Sequence, residues 1–128
     1  MITGITPVSL KISQDRINAY AAITCDPNPI HLDAAFAART EMRGIIAHGT
    51  LSLNLLWRAV AATLGPAACD GAEMDVRFVK PVRVDDVVTA SGRADAEMPG
   101  RYLVQVTNQA GEAVITGWVR PAGTAAQD

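Results

Sequence analysis

A long apolar segment with an abrupt end limits what this chain can fold into. Ten of the fourteen residues from 51 to 64 are apolar, and a Gly-Pro pair follows at once. This pattern predicts a helix over about residues 50–64 that is covered on most of its sides. The segment is too short to cross a bilayer, and polar residues interrupt it. The rest of the chain must therefore supply the surfaces that cover one apolar helix.

Beyond residue 66 the period of the apolar residues changes from helical to alternating. Apolar and polar side chains alternate at 74–78, 102–107 and 114–118, and less regularly at 84–92. Such alternation predicts strands with one buried face. The sequence NQAGE is typical of a hairpin loop between the last two of these strands.

The first third of the chain predicts one strand and two helices. Residues 8–12 alternate as a short strand would, and Ser13 can cap a helix that Pro27 and Pro29 bring to an end. Asp33 precedes AAFAART and can cap a second, shorter helix. Helices followed by consecutive strands predict an α+β domain, in which an antiparallel β-sheet wraps around a central, largely buried α-helix.

The length of the chain suits a single domain with one modest core, since it has 128 residues. We assign residues 1–120 to this domain and residues 121–128, PAGTAAQD, to a flexible C-terminal tail. The N-terminus lacks a basic region followed by a long apolar core, so no signal peptide is expected. The sequence therefore predicts a cytoplasmic protein that has no membrane partner.

The charge balance and the cysteines narrow the possible partners. The formal net charge is −2 and both signs are interspersed, whereas a nucleic-acid-binding protein normally carries a basic face. We therefore expect small molecules or other protein chains as partners and no nucleic acid. Cys25 and Cys69 form no CxxC pair and are too few for a disulfide scaffold or a zinc site.

The segment DPNPIH brings together groups that can exchange protons. Asp26, Asn28 and His31 lie within six residues, and two prolines stiffen the loop that carries them. A carboxylate and an imidazole that face a common point can bind one water and act as general acid and base. Turn chemistry before a capped helix is the alternative interpretation. Asp33 is explained by capping, but no helix directly follows Asp26, which makes Asp26 the better chemical candidate.

Gly49 is a second candidate, because it follows His48 at the start of the main predicted helix. The first amides of a helix have no intrahelical partner, and the helix dipole there favours negative charge. A glycine lets a substrate carbonyl approach this backbone, which is the geometry that stabilises an enolate-like oxygen. Alternatively, Gly49 is only a permissive helix entry and His48 a local hydrogen-bonding residue.

Residues 20–51, YAAITCDPNPIHLDAAFAARTEMRGIIAHGTL, resemble the MaoC-like, (R)-specific enoyl-CoA hydratase family, also called hydratase 2. The family signature is an Asp-x-Asn-Pro-aliphatic-His loop, followed at a fixed interval by an aliphatic-x-His-Gly helix entry. These two parts appear here as DPNPIH and IAHG. The later segment VRFVKPVRVDDVVTASGRA is also similar to the family, so the resemblance covers nearly the whole chain.

The resemblance implies a hotdog fold and chemistry on acyl thioesters. The implied reaction is reversible addition of water to a trans-2-enoyl thioester of CoA or acyl carrier protein, which gives the (R)-3-hydroxyacyl product. It assigns water activation and proton transfer to Asp26 and His31, loop or water positioning to Asn28, and the oxyanion-binding amide to Gly49. No metal or redox cofactor is implied, because CoA or the carrier protein is part of the substrate.

Several positions depart from the family or extend its pattern. Thr24-Cys25 stands where relatives usually have Ser-Gly, and Trp57 stands where many have a small residue. Trp57 is either part of the acyl pocket, where it would restrict the acyl group, or an ordinary core aromatic. Candidate contacts for the CoA phosphates are the basic residues Arg39, Arg43, Lys80 and Arg83.

Two other functions are compatible with a hotdog fold. A hotdog thioesterase generally carries its carboxylate on or near the central helix, but residues 51–64 contain no Asp or Glu. A non-catalytic acyl-thioester-binding subunit of a heteromeric dehydratase typically lacks the Asp/His pair, which this chain has. We expect a homodimer that pairs sheets edge to edge, with a heteromer as the alternative. The acyl group, the carrier and the physiological direction stay open.

Overall fold

The computed structural model describes residues 2–123. Its helices are α1 (Gln14–Thr24), α2 (Pro29–Leu32), α3 (Ala34–Ala38) and α4 (Gly49–Leu64). Its strands are β1 (Gly4–Lys11), β2 (Glu73–Phe78), β3 (Val87–Ala94), β4 (Tyr102–Thr107) and β5 (Ala113–Arg120). A short 3-10 helix, Pro66–Cys69, follows α4. Within the described residues, no helix has both the length and the apolar character needed to cross a membrane.

The five strands form one antiparallel sheet in the order β1-β3-β4-β5-β2. The strand that directly follows α4 in the chain, β2, thus pairs with the last strand at one edge of the sheet. Helix α4 packs across the sheet against β1, β3 and β4. The predicted α+β class and the antiparallel sheet around a central helix are therefore confirmed.

The core lies between one face of α4 and the inward side chains of the sheet. On the helix this face consists of Ser52, Leu55, Leu56, Ala59 and Val60. Each fully buried aliphatic side chain stabilises the fold by about 1.5–3 kcal/mol relative to an exposed one. The opposite face, with Thr50, Asn54 and Arg58, is exposed. The helix is thus covered on most of its sides, as its composition predicts, and only this narrow face stays exposed.

Helix α1 ends before the prolines that were expected to stop it. The helix has Ser13 as its cap, as predicted, but its last residue is Thr24. Cys25 then takes the left-handed conformation, with φ 55° and ψ 39°, and its amide and that of Asp26 both donate to the carbonyl of Ala21. A left-handed residue after the last turn is a common helix end that needs no proline.

Strand β3 begins at Val87, three residues later than its sequence predicts. The residues before it form a turn in which the amide of Arg83 donates to Oδ2 of Asp86 at 2.8 Å. Asp85 has a φ of 71° in this turn, which is incompatible with a strand. The alternation at 84–92 therefore spans a turn as well as a strand.

The domain boundary at residue 120 stays a prediction. Of the predicted tail, residues 124–128 lie outside the described part of the chain. In the described part, the amide of Ala122 donates to the carbonyl of Ala68 at 2.8 Å.

Candidate active site

The loop between α1 and α3 contains a one-turn helix, α2, that the sequence did not predict. Asn28 caps this helix: its Oδ1 accepts from the amide of Ile30 at 3.1 Å, and Pro29 occupies the first helical position. Oδ1 of Asp26 is 3.4 Å from the amide of Asn28, which can donate to it. Asn28 thus stabilises the loop by capping α2. The buried side of this single turn carries His31.

His31 is buried, and its hydrogen bond identifies which ring nitrogen is free. Nδ1 lies 2.6 Å from the backbone carbonyl of Ile46. A carbonyl can only accept, so Nδ1 carries the proton and Nε2 of the neutral ring has a free lone pair. The side chain is therefore set up to take a proton at Nε2.

The carboxylate of Asp26 lies close to the imidazole of His31. The Asp26 side chain is 54% exposed. One carboxylate oxygen of Asp26 and one ring nitrogen each of His31 and His48 lie within 4.8 Å of one another. A water that makes two hydrogen bonds of about 2.8 Å can bridge groups at such a separation. The structure thus brings the predicted acid/base pair together.

His48 belongs to this cluster, although the motif gave it no chemical role. Its ring stacks on that of His31, with centroids 3.8 Å apart and planes inclined by 27°. Its Nε2 lies 3.1 Å from the backbone carbonyl of Asp26. The only sequence signal for this contact is the fixed interval between the two parts of the motif.

Asp26, His31 and His48 are also the residues that could be considered as metal ligands. In stacked rings, the in-plane lone pairs of the nitrogens run side by side and do not converge on one point. One nitrogen of each ring already donates to a carbonyl. This geometry favours proton transfer over metal binding, and the prediction of a site without metal stays a prediction.

Gly49 opens α4 on the wall of a cavity of about 340 Å³. The cavity is mainly apolar and lies between the start of α4, the loop before it and the segment after β2; its lining includes Met42, Ile46, Ser52, Phe78 and Val82. The first amides of a helix lack intrahelical partners, so the amide of Gly49 is available to an oxygen in this cavity.

Ser52 lies one helical turn after Gly49 and also lines the cavity. Its side chain is buried, and its Oγ has no hydrogen-bond partner among the described residues. A buried hydroxyl without a partner is uncommon in folded proteins. Nothing in the sequence indicated this residue.

Trp57 does not line this cavity. It is half-buried, packs against the hydrophobic core and is absent from the lining at Gly49. Of its two alternatives, a wall of the acyl pocket and a core aromatic, the observed packing favours the core aromatic.

The four basic candidates occupy different environments. Lys80 lines the cavity and pairs with Glu112 at 2.7 Å. Hydrogen bonds from Lys80, and then from Asn108, hold the pKa of Glu112 below its ordinary value. Arg83 is half-buried, with Nη1 at 3.5 Å from the carbonyl of Gly44. Two further side chains, Arg39 and Arg43, are exposed.

Comparison with known proteins identifies the family. The sequence pattern of the family described as "MaoC like domain" matches residues 4–114. The chain belongs to the MaoC-like domain family. The match spans α4, all the loops of the candidate site and most of the sheet.

Relatives of this MaoC-like chain carry names of hydratases and dehydratases. An (R)-specific enoyl-CoA hydratase of Rhodospirillum rubrum is 32% identical over 110 residues, which cover 83% of this chain and 76% of the relative. A 3-hydroxybutyryl-CoA dehydratase of Methylorubrum extorquens is 34% identical, over 88% of this chain and 73% of the relative.

Solved structures of two R-hydratases agree with the fold. The R-hydratase PhaJ1 of Pseudomonas aeruginosa superimposes with a TM-score of 0.79 at 30% identity, covering 94% of this chain and 82% of the other. The (R)-hydratase of Aeromonas caviae gives a TM-score of 0.77 at 28% identity, covering 94% and 96%. These matches confirm the family resemblance, the hotdog fold and the predicted class of enzyme, a hydro-lyase.

Proposed function

We propose that this MaoC-like enzyme adds water reversibly to a trans-2-enoyl thioester and forms the (R)-3-hydroxyacyl thioester. The observation that supports this most is the cluster in which the carboxylate of Asp26 and a ring nitrogen of His31 lie within 4.8 Å of each other. The start of α4 follows His48 of the same cluster and supplies the Gly49 amide.

The amide of Gly49 is proposed to bind the thioester oxygen. As water adds to C3, negative charge develops on that oxygen, and a helix N-terminus stabilises it without reorganisation. Loss of one such donor in other enzymes costs about 10²–10³-fold in rate. The acyl group then extends into the apolar cavity beside Gly49 and Ser52.

Asp26 and His31 are proposed to hold the reacting water between them. The water oxygen forms the bond to C3 while one member of the pair accepts its proton. The proton that completes the product reaches C2 from the same pair, so the enzyme returns to its starting protonation. General acid–base catalysis of this kind contributes about 10²–10⁴-fold.

The substrate carrier is proposed to be CoA or an acyl carrier protein, and no further cofactor takes part. Lys80 stands at the cavity, so it is the basic candidate best placed for a phosphate of the carrier. Its pairing with Glu112 means that a phosphate would have to compete with a carboxylate.

The enzyme is proposed to act as a homodimer. β2 is an edge strand, and the residues that end it and follow it, Phe78 and Val79, are 53% and 52% exposed. Pairing with a second chain is one way to cover an edge strand and the exposed apolar residues beside it. Light scattering should give twice the chain mass of 13.5 kDa; a stable monomer at assay concentrations would contradict the dimer.

The hydration is tested by following the loss of enoyl-thioester absorbance with crotonyl-CoA and longer enoyl-CoAs. Asp26→Asn and His31→Gln should each lower kcat by at least about 10²-fold, because each removes one proton-transfer group. Asp33→Asn is the matched control: the same chemical change falls on the residue that caps α3, where Asn caps as well as Asp. Its kcat should match the wild type.

Two results would change the proposal. Wild-type hydration by both Asp26→Asn and His31→Gln would remove the acid/base pair from the mechanism. Release of free thiol from the same substrates without hydration would point to a thioesterase. Chiral analysis of the product checks the (R) configuration.

A further inference from the structure

His48 is enclosed by two aromatic rings and has no part in the proton transfers described above. The ring of His31 stacks on it at 3.8 Å, and the ring of Tyr20 meets it edge-on at 5.1 Å, inclined by 66°. The side chain is 3% exposed. A substrate in the cavity therefore does not reach it directly.

The ring of His48 holds the main chain of the residue that carries the candidate carboxylate. Nε2 lies 3.1 Å from the backbone carbonyl of Asp26, and 4.0 Å from Oδ2 of the same residue. Because a carbonyl only accepts, Nε2 carries a proton and donates it. One side chain at the start of α4 thus restrains a loop that lies 22 residues earlier in the chain.

The other ring nitrogen indicates which tautomer of His48 the site favours. Nδ1 is buried and has no hydrogen-bond partner among residues 2–123. A second proton there would create an unpaired donor and would place a positive charge against the face of His31. The titratable groups that face the ring are Asp26 from the loop, His31 from α2 and Tyr20 from α1. This environment favours one fixed tautomer, with the proton on Nε2.

We propose that His48 is a positioning residue for the hydration reaction. It holds Asp26 through the backbone carbonyl and His31 through the ring face, so that the pair can bind one water in a single geometry. Because Gly49 is its neighbour in the chain, His48 also fixes the oxyanion-binding amide relative to that pair. The inference rests on the proposed function, since the geometry it protects is that of hydration.

Three substitutions separate the two contacts. His48→Phe keeps a ring against His31 and removes the donor, His48→Gln keeps a donor and removes the ring, and His48→Ala removes both. A misplacement of about 1 Å can cost about 10²-fold, so His48→Ala should lower kcat by about that factor. KM should change by less than about threefold, because His48 does not line the cavity. His48→Phe and His48→Gln should each lose less than His48→Ala.

Asp33→Asn again serves as the control, and circular dichroism checks that each variant is folded. Wild-type kcat in a folded His48→Ala variant would overturn the proposal. So would equal losses in all three variants, because then neither the donor nor the ring accounts for the effect. If His48→Ala does not fold, His48→Phe and His48→Gln still decide, since each retains one contact.

A second readout does not depend on catalysis. Heteronuclear NMR of the imidazole nitrogens should find the proton of His48 on Nε2 and that of His31 on Nδ1. In His48→Gln, which removes the ring that packs on His31, the His31 signals should broaden, whereas in His48→Phe, which keeps a ring there, they should stay as in the wild type. A neutral His48 with its proton on Nδ1 would overturn the proposal, because Nε2 could then not donate to the carbonyl of Asp26. If the wild type hydrates no enoyl thioester, the proposed function fails, and the NMR result still tests whether His48 holds the pair.

Discussion

The ring of Phe78 lies against the backbone of Gly49 so closely that a Cβ on the glycine would stand 2.8 Å from Cε2 and 2.9 Å from Cδ2 of that ring. A side chain at this position would therefore meet the Phe78 ring. Phe78 is 53% exposed, so its ring is free to turn outward.

Gly49→Ala should affect activity much more than stability. Alanine gains up to about 1 kcal/mol of helix propensity, which offsets the displacement of the Phe78 ring. We expect the free energy of unfolding to change by less than about 1 kcal/mol. The new methyl group stands where the thioester oxygen should approach, so kcat/KM should fall at least about tenfold. Chemical denaturation and steady-state kinetics measure the two effects.

The double variant Gly49→Ala/Phe78→Ala identifies the cause of that loss. It removes the clash with the ring and keeps the methyl group in the path of the substrate. Activity should stay low in the double variant relative to Phe78→Ala alone. Full recovery would mean that the ring clash was responsible.

Cys25→Gly should stabilise the protein by about 0.5–1 kcal/mol. Cys25 holds a left-handed backbone, with φ 55°, which costs an L-residue about 1–2 kcal/mol, and the greater freedom of glycine in the unfolded chain offsets part of the gain. Cys25→Ala is the control, because it removes the thiol and keeps the Cβ. Urea denaturation should show a gain for glycine only, and an equal gain for alanine would assign the effect to the thiol.

Ser52→Ala should leave the protein at least as stable as the wild type. The buried hydroxyl of Ser52 has no partner in the described part of the chain, and a buried polar group in that state costs about 1–3 kcal/mol. Alanine also has the higher helix propensity. A clear loss on thermal unfolding would reveal a hydrogen bond, for instance to ordered water, that the hydroxyl makes in solution.

Trp57→Ala should lower stability without changing the preference for acyl length. Trp57 packs against the core, so the truncation should cost about 2–3 kcal/mol. Since it does not line the cavity at Gly49, the ratio of kcat/KM between short and long enoyl-CoAs should stay the same. A selective gain on long substrates would instead place Trp57 in the acyl pocket.

Asp95→Asn should make the free energy of unfolding depend less on pH in the acid range. The amide of Glu97 and the guanidinium of Arg101 donate to the carboxylate and, against the effect of burial, hold the pKa of Asp95 below its ordinary value. Because the folded state binds this proton less readily than the unfolded chain, the stabilisation is present above the ordinary pKa. It is lost as the pH falls through the lowered value.

The measurement is the urea midpoint as a function of pH, for wild type and Asp95→Asn. Asp70→Asn is the control, because the carboxylate of Asp70 is exposed and makes no hydrogen bond or ion pair in the described residues. The Asp95 variant should be less stable near neutral pH and should converge with the wild type in acid. Parallel curves would show that Asp95 contributes nothing through its charge.

Much of the site was predictable because its key residues lie in two short segments with recognisable spacing. Asp26 and His31 are only five positions apart, and the Gly49 helix entry follows from a local pattern. The helix α2 was missed because four residues are too few to show any periodicity. The stacking of His48 on His31 was missed because it depends on how two loops meet, which no local pattern records.

The coverage of α4 agrees with what its composition predicts. The chain covers the helix on all sides except a stripe that contains Asn54 and Arg58. Composition alone does not say which side stays exposed, but these two polar residues are four positions apart and therefore lie on one face of the helix.

The bond from Nδ1 of His31 ends on the main-chain oxygen of Ile46. Every amino acid at position 46 would offer the same carbonyl, so no single substitution there deletes the acceptor. The position of the main chain at residue 46 thus determines the tautomer of His31 and leaves its Nε2 unprotonated. Side chains in this loop can therefore change during evolution while the proton of His31 stays on Nδ1. A change in loop length, by contrast, would displace the carbonyl that holds it.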